Sequence, residues 1–440
     1  MGTLGRHYRK CTRDRMKKPL FVLLACLFVV MIGFGITLPV LAFYVERLAL
    51  AEGASRQSII LHVTLLTGVY ALMQLIFAPV WGRWSDRVGR RPLILTGIAG
   101  YVVAQVLFGL STSLWLLYAA RIIGGMLSSA TLPASAAYVV DLTTNEERTR
   151  GMAWLGTATS LGVVVGPALG GLLSGRDWHL TGSAWHFKVD SFSTPFFAAA
   201  LLGLFTLLAA LRWLPESLPT SAKHASEARE VPGKPTTWRS LLRTLSPLLA
   251  LTVAGQMALA MFEATFALFA QAKFGFGPAD VGYVFVVCGL VMTLLQAGAV
   301  GFLGGKISER VQIGAGLALM GTGIALLATA QSRVLVFAFV TLLSAGMAFI
   351  APNLAALVSK RGGDGQAGTS LGMQNAASSF GQTVGPLLGG VLFIWQRNAP
   401  YYFSGALLIT LAVVVLWKAM DVQGDASPAR SRANMISLTD

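Results

Sequence analysis

Long apolar runs alternate with short polar segments along the whole chain. A helix that crosses the hydrocarbon layer of a bilayer needs about 20 mostly apolar residues. The pattern therefore predicts twelve membrane-spanning helices, at residues 20–44, 59–81, 92–110, 114–140, 151–174, 194–213, 246–269, 278–303, 313–329, 334–358, 369–395 and 401–417.

A polar segment at residues 214–245, rich in charges, serine and proline, divides these spans into six and six. Such a composition is typical of a linker. The sequence is thus predicted to form an all-α membrane protein of two pseudo-symmetric six-helix bundles, at residues 20–213 and 246–417. A basic tail at residues 1–19 precedes the bundles, and a second tail at residues 418–440 follows them.

The composition agrees with a lipid-embedded chain, because only 12% of the residues are charged and the mean hydropathy is +0.66. The formal net charge of +15 needs no nucleic acid partner, since the basic residues sort by side. If the amino terminus is cytosolic, inward segments hold 26 of the 34 Lys and Arg residues, and outward segments hold seven. Basic loops resist translocation, so both termini are predicted to be cytosolic in a multi-pass protein of the cell membrane.

The sequence contains no GxxxxGK[ST] loop, no zinc-ligand spacing and no nucleophile elbow. This argues against an enzyme, an ATP-driven pump and a bound cofactor or metal. The energy for transport must then come from an ion gradient or from downhill flow.

The two halves of the chain repeat the same motifs. Pro133 in the fourth span returns as Pro352 in the tenth, 219 residues later, and GRWSDR, which begins at Gly82, returns as GKISER, which begins at Gly305. The longest repeat is GxxxGPxxGG, found in the fifth and eleventh spans at Gly162, Gly166, Pro167, Gly170 and Gly171, and again at Gly381, Gly385, Pro386, Gly389 and Gly390. Secondary transporters are often built from such repeats and bind their substrate between them. A central site between the halves is therefore expected.

The stretch GRWSDRVGRR, residues 82–91, concentrates five charges between two apolar spans. Asp86 near a helix amino terminus, or paired with an arginine, is worth up to about 2 kcal/mol when partly buried. Such a contact would bias two conformations without locking either, so this charged hinge is interpreted as a latch. The alternative is that its arginines only fix the topology. The return of the segment as GKISER favours the latch.

With these motifs the chain resembles the major facilitator superfamily, and within it the twelve-span drug and proton antiporters. Residues 71–95 are especially similar to the tetracycline-efflux branch. The resemblance implies an antiporter signature at residues 162–171 and a role in proton coupling for Arg121. It also implies a gating signature, at Gly82, Asp86, Arg87, Gly89, Arg90 and Arg91.

The chain departs from the tetracycline-efflux pattern in three spans. Tetracycline exporters of this branch carry aspartates in the first, third and ninth spans. Val30 and Ala104 stand at the first two positions here, and the ninth span offers only small and apolar residues. These departures argue against tetracycline as cargo.

Among the nineteen acidic residues, only Glu263 lies well inside a span. An ionised side chain that faces lipid at mid-membrane costs about 2.5–3.5 kcal/mol or more, so such residues usually face a cavity or a partner. Thr252, Gln256 and Gln271 fall on the same side of the seventh span at helical spacing. Burial favours a protonated carboxyl and a bound cation favours an ionised one, so Glu263 is predicted to exchange a proton for cationic cargo. The alternative is that Glu263 reaches the outer surface or caps a loop.

Arg121 lies in the fourth span on a face of small residues. Small residues permit close helix approach, and an arginine held there would modulate a nearby carboxyl or accept an anionic substrate. The alternative is that its head group extends to the outer membrane surface.

Further polar residues are candidates for the same cavity. One proton exchanged for one monovalent cation moves no net charge, so electrogenic transport would need a second titrating group. Asp141 and Glu46, near helix ends, are the candidates for that group. The remaining cavity candidates are Gln256, Asn353, Gln374 and Asn375, and hydrogen bonding between helices is an equally open interpretation of the last three.

The sequence as a whole predicts a secondary transporter that exports small hydrophobic, cationic, drug-like compounds in exchange for protons by alternating access. The predicted partners are the substrate, protons and the lipid bilayer, and the protein is expected to act as a monomer. The rival interpretations are a proton-linked uptake carrier, a lipid flippase on the same fold, and a membrane receptor or scaffold without turnover.

Overall fold

The computed structural model describes residues 2–143, 145–174, 180–182, 187–189, 191–217, 238–296, 298, 307–362 and 367–436. Twelve helices in these ranges are long and apolar enough to cross a membrane, which confirms the predicted twelve-span, all-α fold. The fourth span is formed by α4 and α5 together, and each other helix is one span. The helices are α1 (Gly2–Ala51), α2 (Arg56–Val88), α3 (Arg90–Gly109), α4 (Leu114–Ser128), α5 (Thr131–Leu142), α6 (Asn145–Ser174), α7 (Thr194–Trp213), α8 (Trp238–Phe274), α9 (Pro278–Leu295), α10 (Glu309–Thr329), α11 (Arg333–Arg361), α12 (Ala367–Trp395) and α13 (Ala399–Ile436).

Several helices extend beyond the predicted spans. α1 continues to Ala51, α8 begins at Trp238, and α13 runs to Ile436. An apolar pattern predicts only the part of a helix that lies in hydrocarbon. The helical backbone hydrogen bonds continue into the polar residues at either end. Most of the predicted linker, residues 218–237, lies outside the described residues.

A short antiparallel hairpin joins α6 to α7. β1 (Leu180–Gly182) pairs with β2 (Phe187–Val189), and Leu180 lies opposite Val189. The end of the bundle that carries this connection is called the hairpin end below. The opposite end, from which the linker leaves α7, is called the linker end.

In the first half, the repeated glycines of α6 bring its backbone against the backbone of α1. A methyl group added at Gly162 would lie 2.6 Å from the carbonyl oxygen of Phe28, and one at Gly166 would lie 2.5 Å from that of Ile32. Any side chain there would force the helices apart, so only glycine permits this approach.

The second half repeats the arrangement between α12 and α8. A methyl group at Gly381 would lie 2.6 Å from the carbonyl oxygen of Val253, and one at Gly385 would lie 2.5 Å from that of Met257. The sequence repeat of GxxxGPxxGG therefore corresponds to the same helix contact in both halves.

The second glycine of each GG pair touches the other half of the molecule. A methyl group at Gly171 on α6 would lie 3.2 Å from the Cα atom of Gly282 on α9, and one at Gly390 on α12 would lie 3.0 Å from the Cβ atom of Thr64 on α2. All four residues lie near the hairpin end of their helices. The halves thus pack closely at that end.

The same face of α12 is uncovered at the linker end. Gly372 precedes Gly390 by 18 residues, which is five full turns and about 27 Å of helix. Gly372 is nevertheless exposed, and a methyl group there would have no atom within 4 Å. Among the described residues, the space between the halves therefore opens toward the linker end.

Replacement of Gly166 or Gly385 by Ala is expected to destabilise the protein by about 1–3 kcal/mol, because the added methyl group overpacks a helix contact. The matched controls are Gly156→Ala on α6 and Gly372→Ala on α12, where no atom lies within 4 Å of the added group. These controls should leave stability unchanged or raise it slightly. Melting temperatures in detergent measure the difference, and equal effects at all four positions would contradict the proposed contacts.

Candidate functional site

Four residues on one side of α8 form a polar stripe, which faces the interior of the molecule at three levels: Thr252, Gln256, Glu263 and Gln271. Thr252 and Gln256 line a cavity of about 340 Å³ on the linker side. Glu263, farther along the helix, lines a smaller central cavity of about 30 Å³. Gln271, near the hairpin end, donates a 2.7 Å hydrogen bond to the Glu46 carboxylate on α1. Glu263 and Gln271 thus meet the first half, whereas Thr252 and Gln256 line a cavity formed by residues of the second half.

The central cavity brings Glu263 and Arg121 together. Glu263 and Ala264 come from α8, and the remaining lining residues come from the first half. The volume is sufficient for about one water molecule. The first-half residues are Phe34, Thr37, Leu38, Leu41, Ala42, Val63, Thr67, Tyr70 and Arg121.

Arg121 is buried in this region, with only 6% of its surface exposed, and does not extend to the membrane surface. Its guanidinium carbon lies 5.2 Å from the ring centre of Tyr70 and 5.3 Å from that of Phe108. Such cation–π contacts hold the head group in place. Its Nε atom is buried without a hydrogen-bond partner, so part of its donor capacity is unused.

Glu263 has no hydrogen-bond or ion-pair partner among the described residues. It lies eleven residues before the end of α8, which is about 16 Å of helix, and its side chain lines the central cavity. It therefore neither caps a loop nor faces lipid. Although Arg121 lines the same cavity, the two side chains form no ion pair in this structure.

An acid and a base that face one small cavity without pairing are unusual, since a buried charge normally requires a compensating partner. A proton, a water molecule or a small ion in the cavity would supply that compensation. The arrangement is chemically suited to exchange, because each group is free to change its partner.

The cavity on the linker side combines amides with apolar side chains. Gln374, Asn375 and Ser378 of α12 contribute polar groups, and Gln256 accepts a 3.2 Å hydrogen bond from Gln382. Met347, Ile350, Ala351, Leu354, Ala355 and Leu371 line the apolar part, along with Gly255. Few polar groups in an apolar wall are typical of small-molecule sites.

Asn353 does not line either of these cavities. Its amide nitrogen donates to the Gln312 side chain of α10 at 3.1 Å and to the carbonyl oxygen of Phe349 at 2.8 Å. Because Asn353 is buried and both bonds link or brace helices, the interhelical interpretation replaces the cavity interpretation for this residue.

The charged hinge is held within the first half of the molecule. Gly89 has a φ angle of +115°, and the two following backbone amides, those of Arg90 and Arg91, donate to the Glu216 carboxylate at 2.9 and 3.2 Å. An acid at a helix amino terminus is favourable because the terminal N–H groups are unpaired and carry partial positive charge. The latch residue predicted from sequence, Asp86, has a side chain that lies outside the described residues.

An ion pair strengthens the hinge. The Nε atom of Arg90 lies 3.1 Å from Oδ2 of Asp141 on α5, and Ser217 donates to the same oxygen at 3.0 Å. Asp141 is thus engaged at the linker end, far from the central cavity, just as Glu46 is engaged at the hairpin end. Arg83 and Arg87 of the hinge are exposed. A methyl group added at Gly82 would have no described atom within 4 Å.

The second half has a corresponding ion pair with the charges exchanged. Glu309, the first residue of α10, pairs with Lys360, the second-last residue of α11. In the first half, Arg90 is the first residue of α3 and Asp141 is the second-last residue of α5. Gly305 and Lys306 of the repeated GKISER segment lie outside the described residues.

Three residues of the site were not found by sequence reasoning. Tyr70 covers Arg121 and lines the central cavity, Gln105 has a buried side-chain oxygen without a partner near Arg121, and Glu216 caps the hinge. Tyr70 and Gln105 lie inside apolar spans, and their spacing along those spans does not distinguish them from neighbouring residues. Glu216 stands in a segment that the sequence marks only as linker.

Comparison with known proteins gives a family match along most of the chain. The model of the Major Facilitator Superfamily matches residues 23–314 and 294–436. Multidrug resistance protein 2 of Bacillus subtilis (strain 168) is 30% identical over 413 residues, which cover 92% of this chain and 96% of that protein. The class D tetracycline resistance protein of Salmonella ordonez is 31% identical over 379 residues, covering 86% and 90%.

A crystal structure of a human organic anion transporter has the same fold. It superposes with a TM-score of 0.68 at 22% sequence identity, and the match covers 91% of this chain and 99% of that one.

Replacement of Gly89 by Ala is expected to destabilise the protein by about 3 kcal/mol. The positive φ angle is unfavourable for a residue with a side chain, and the added methyl group would lie 2.5 Å from the Glu216 carboxylate that caps α3. Gly275→Ala is the control, because Gly275 has a φ angle of +65° with open space around it. Its cost should be only about 1 kcal/mol. Melting temperatures distinguish the two, and equal losses would argue against the Glu216 cap.

Proposed function

The chain belongs to the major facilitator superfamily, and from this membership we propose that it exports small hydrophobic, cationic, drug-like compounds in exchange for protons by alternating access. Members of the family are transporters rather than enzymes, and this chain is a transporter. Its relatives include proteins named for multidrug resistance and for tetracycline resistance, which supports efflux as the direction of transport.

The distribution of charge supports cytosolic termini. With that orientation, 26 of the 34 basic residues lie on the cytosolic side. The linker end is then cytosolic, and the space between the halves opens toward the cytosol. Cargo would enter there and meet the amides of the 340 Å³ cavity before it reaches the central cavity.

The unpaired carboxyl of Glu263 in the central cavity is the single observation that carries the proposal. A carboxyl without a protein partner is stabilised either by a proton or by a cation, and it cannot hold both. Competition for one group couples the two fluxes, because release of the proton prepares the site for cargo. In another conformation of the transport cycle, Arg121 of the same cavity would pair with Glu263 when neither is bound.

The cargo is proposed to be drug-like but not tetracycline. The spans that carry aspartates in tetracycline exporters of this branch have Val30 and Ala104 at the corresponding places. Val30 is buried with 4% exposure and Ala104 with 6%, so neither position offers a polar group to a ligand.

The buried, partly unpaired guanidinium of Arg121 favours a second candidate, in which the cargo is an anion. Arg121 would then bind the cargo and Glu263 would carry the proton. A panel of dyes that contains one lipophilic cation and one anion distinguishes the two candidates.

Glu263→Gln is expected to abolish extrusion of a lipophilic cation that is driven by a pH gradient in reconstituted vesicles. It should also weaken binding of the cation roughly 10- to 100-fold, because a hydrogen bond to a charged group is worth about 1.5–3 kcal/mol. The matched control is Glu52→Gln, since Glu52 lies outside the cavity and accepts a hydrogen bond from the backbone amide of Leu114. Retained, proton-dependent extrusion by Glu263→Gln would refute the assignment.

Exchange of one proton for one monovalent cation is expected to be electroneutral. A membrane potential of 100 mV, imposed with potassium and valinomycin at constant pH gradient, should leave the steady-state cation gradient unchanged. Net movement of one charge would instead change that gradient roughly 40-fold, since a charge is worth about 2.3 kcal/mol per 100 mV. Such a change would call for a second titrating group, and Asp141 and Glu46 would then be tested by replacement with Asn and Gln.

A further inference from the structure

A large concave region among the described residues lies away from the central cavity. It is an interhelical groove of about 1530 Å³ between the linker ends of α1 and α7. Drug-sized ligand pockets are smaller, roughly 300–1,000 Å³. Phe21, Phe205 and Trp213 line the groove and are 73, 62 and 60% exposed, so its walls face the surrounding membrane.

The groove is basic at one end and apolar at the other. Lys18 of α1 and Arg212 of α7 lie at the linker end. Ala25 and Phe205 each lie seven residues deeper, which is about 10 Å toward the membrane centre. This gradient along the membrane normal matches the polarity of a phospholipid, whose charged head lies at the surface above its acyl chains.

Arg91 adds a third cation and a specific contact point. It lines the groove, its Nη2 atom donates to the carbonyl oxygen of Leu211 at 2.8 Å, and its Nε atom is buried without a partner. A charge that served only to fix topology would be hydrated. A buried donor without a partner leaves positive charge uncompensated at the polar end of the groove.

The charge of the described lining residues selects the type of head group. The lining contains three cations and no acidic residue. Basic pockets between membrane helices at the cytosolic side bind anionic head groups, whereas a zwitterionic head group would also bring a cation close to Lys18 and Arg212.

We propose that the groove formed by Lys18, Phe21, Arg91, Phe205 and Arg212 binds one anionic phospholipid of the leaflet at the linker end. The phosphate contacts Lys18 and Arg212 beside the Arg91 side chain, and the acyl chains lie along the two phenylalanines. The backbone amide of Arg91 donates to the Glu216 carboxylate at the start of α3. A lipid bound beside Arg91 therefore stabilises the hinge from the membrane side. This role goes beyond the proposed export function and holds whatever Glu263 does.

Native mass spectrometry of the purified, delipidated protein tests the proposal by titration with phosphatidylglycerol and with phosphatidylcholine. One phosphatidylglycerol should bind in preference to phosphatidylcholine. The double variant Lys18→Gln/Arg212→Gln should bind it about 30-fold more weakly, since each basic residue contributes roughly a fivefold factor. The control Arg243→Gln removes an exposed charge at the same end of α8, outside the groove, and should bind as the wild type does.

A second variant tests the apolar part of the groove with all charges retained. Ala209 lines the groove, and Ala209→Phe should weaken phosphatidylglycerol binding by occupying the space of an acyl chain. Equal melting temperatures without added lipid verify that the variants are folded. The proposal is overturned if the two lipids bind equally, if Arg243→Gln weakens binding as much as the double variant, or if glycerol phosphate without acyl chains competes at equal concentration.

Discussion

The close approach of two helix backbones, made possible by glycine, is the contact on which the rest of the structure depends. α6 lies against α1 and α12 lies against α8 with carbonyl groups where side chains would otherwise stand. In lipid, helices gain little from apolar burial and are held by such tight packing. Because α12 covers one side of α8, Glu263 and Gln271 are left to face the first half. The position of Glu263 is therefore a consequence of glycines on a neighbouring helix.

The charged residues that form ion pairs lie in a different part of the protein from Glu263 and Arg121, which do not pair with each other. At the linker end, Arg90 pairs with Asp141 and Lys360 pairs with Glu309, so these charges brace adjacent helices. In the central cavity, Glu263 and Arg121 face each other without pairing. Paired charges at a surface contribute stability or position. A buried charge without an ion-pair partner raises the energy of the protein until a proton, a water molecule or an ion compensates it. The contrast separates charges that join neighbouring helices from the two buried charges to which we assign transport.

Much of the fold was predictable from sequence, because membrane spans and repeated motifs are local signals. The twelve spans follow from apolar length, and the GxxxGPxxGG repeat anticipated that the two halves share one plan. Glu263 was found because an acid within an apolar run is conspicuous. Asn353 could not be placed, since an amide on a helix looks the same whether it faces a cavity or, as here, Gln312 of the adjacent helix. Glu216 could not be found at all, because its role depends on a contact with residues about 125 positions away in sequence.

The exchanged signs of the two linker-end ion pairs limit how such a gene can recombine. A chimera that joined α10 of the second half to α5 of the first would oppose Glu309 and Asp141, two acids, at a junction that needs opposite charges. A chimera of α3 with α11 would likewise oppose Arg90 and Lys360. At this contact each helix therefore matches its partner within its own half and opposes a like charge when it is exchanged with the corresponding helix of the other half. The two halves thus share the position of this ion pair and the glycine contacts, but the signs of the charges make their helices non-interchangeable there.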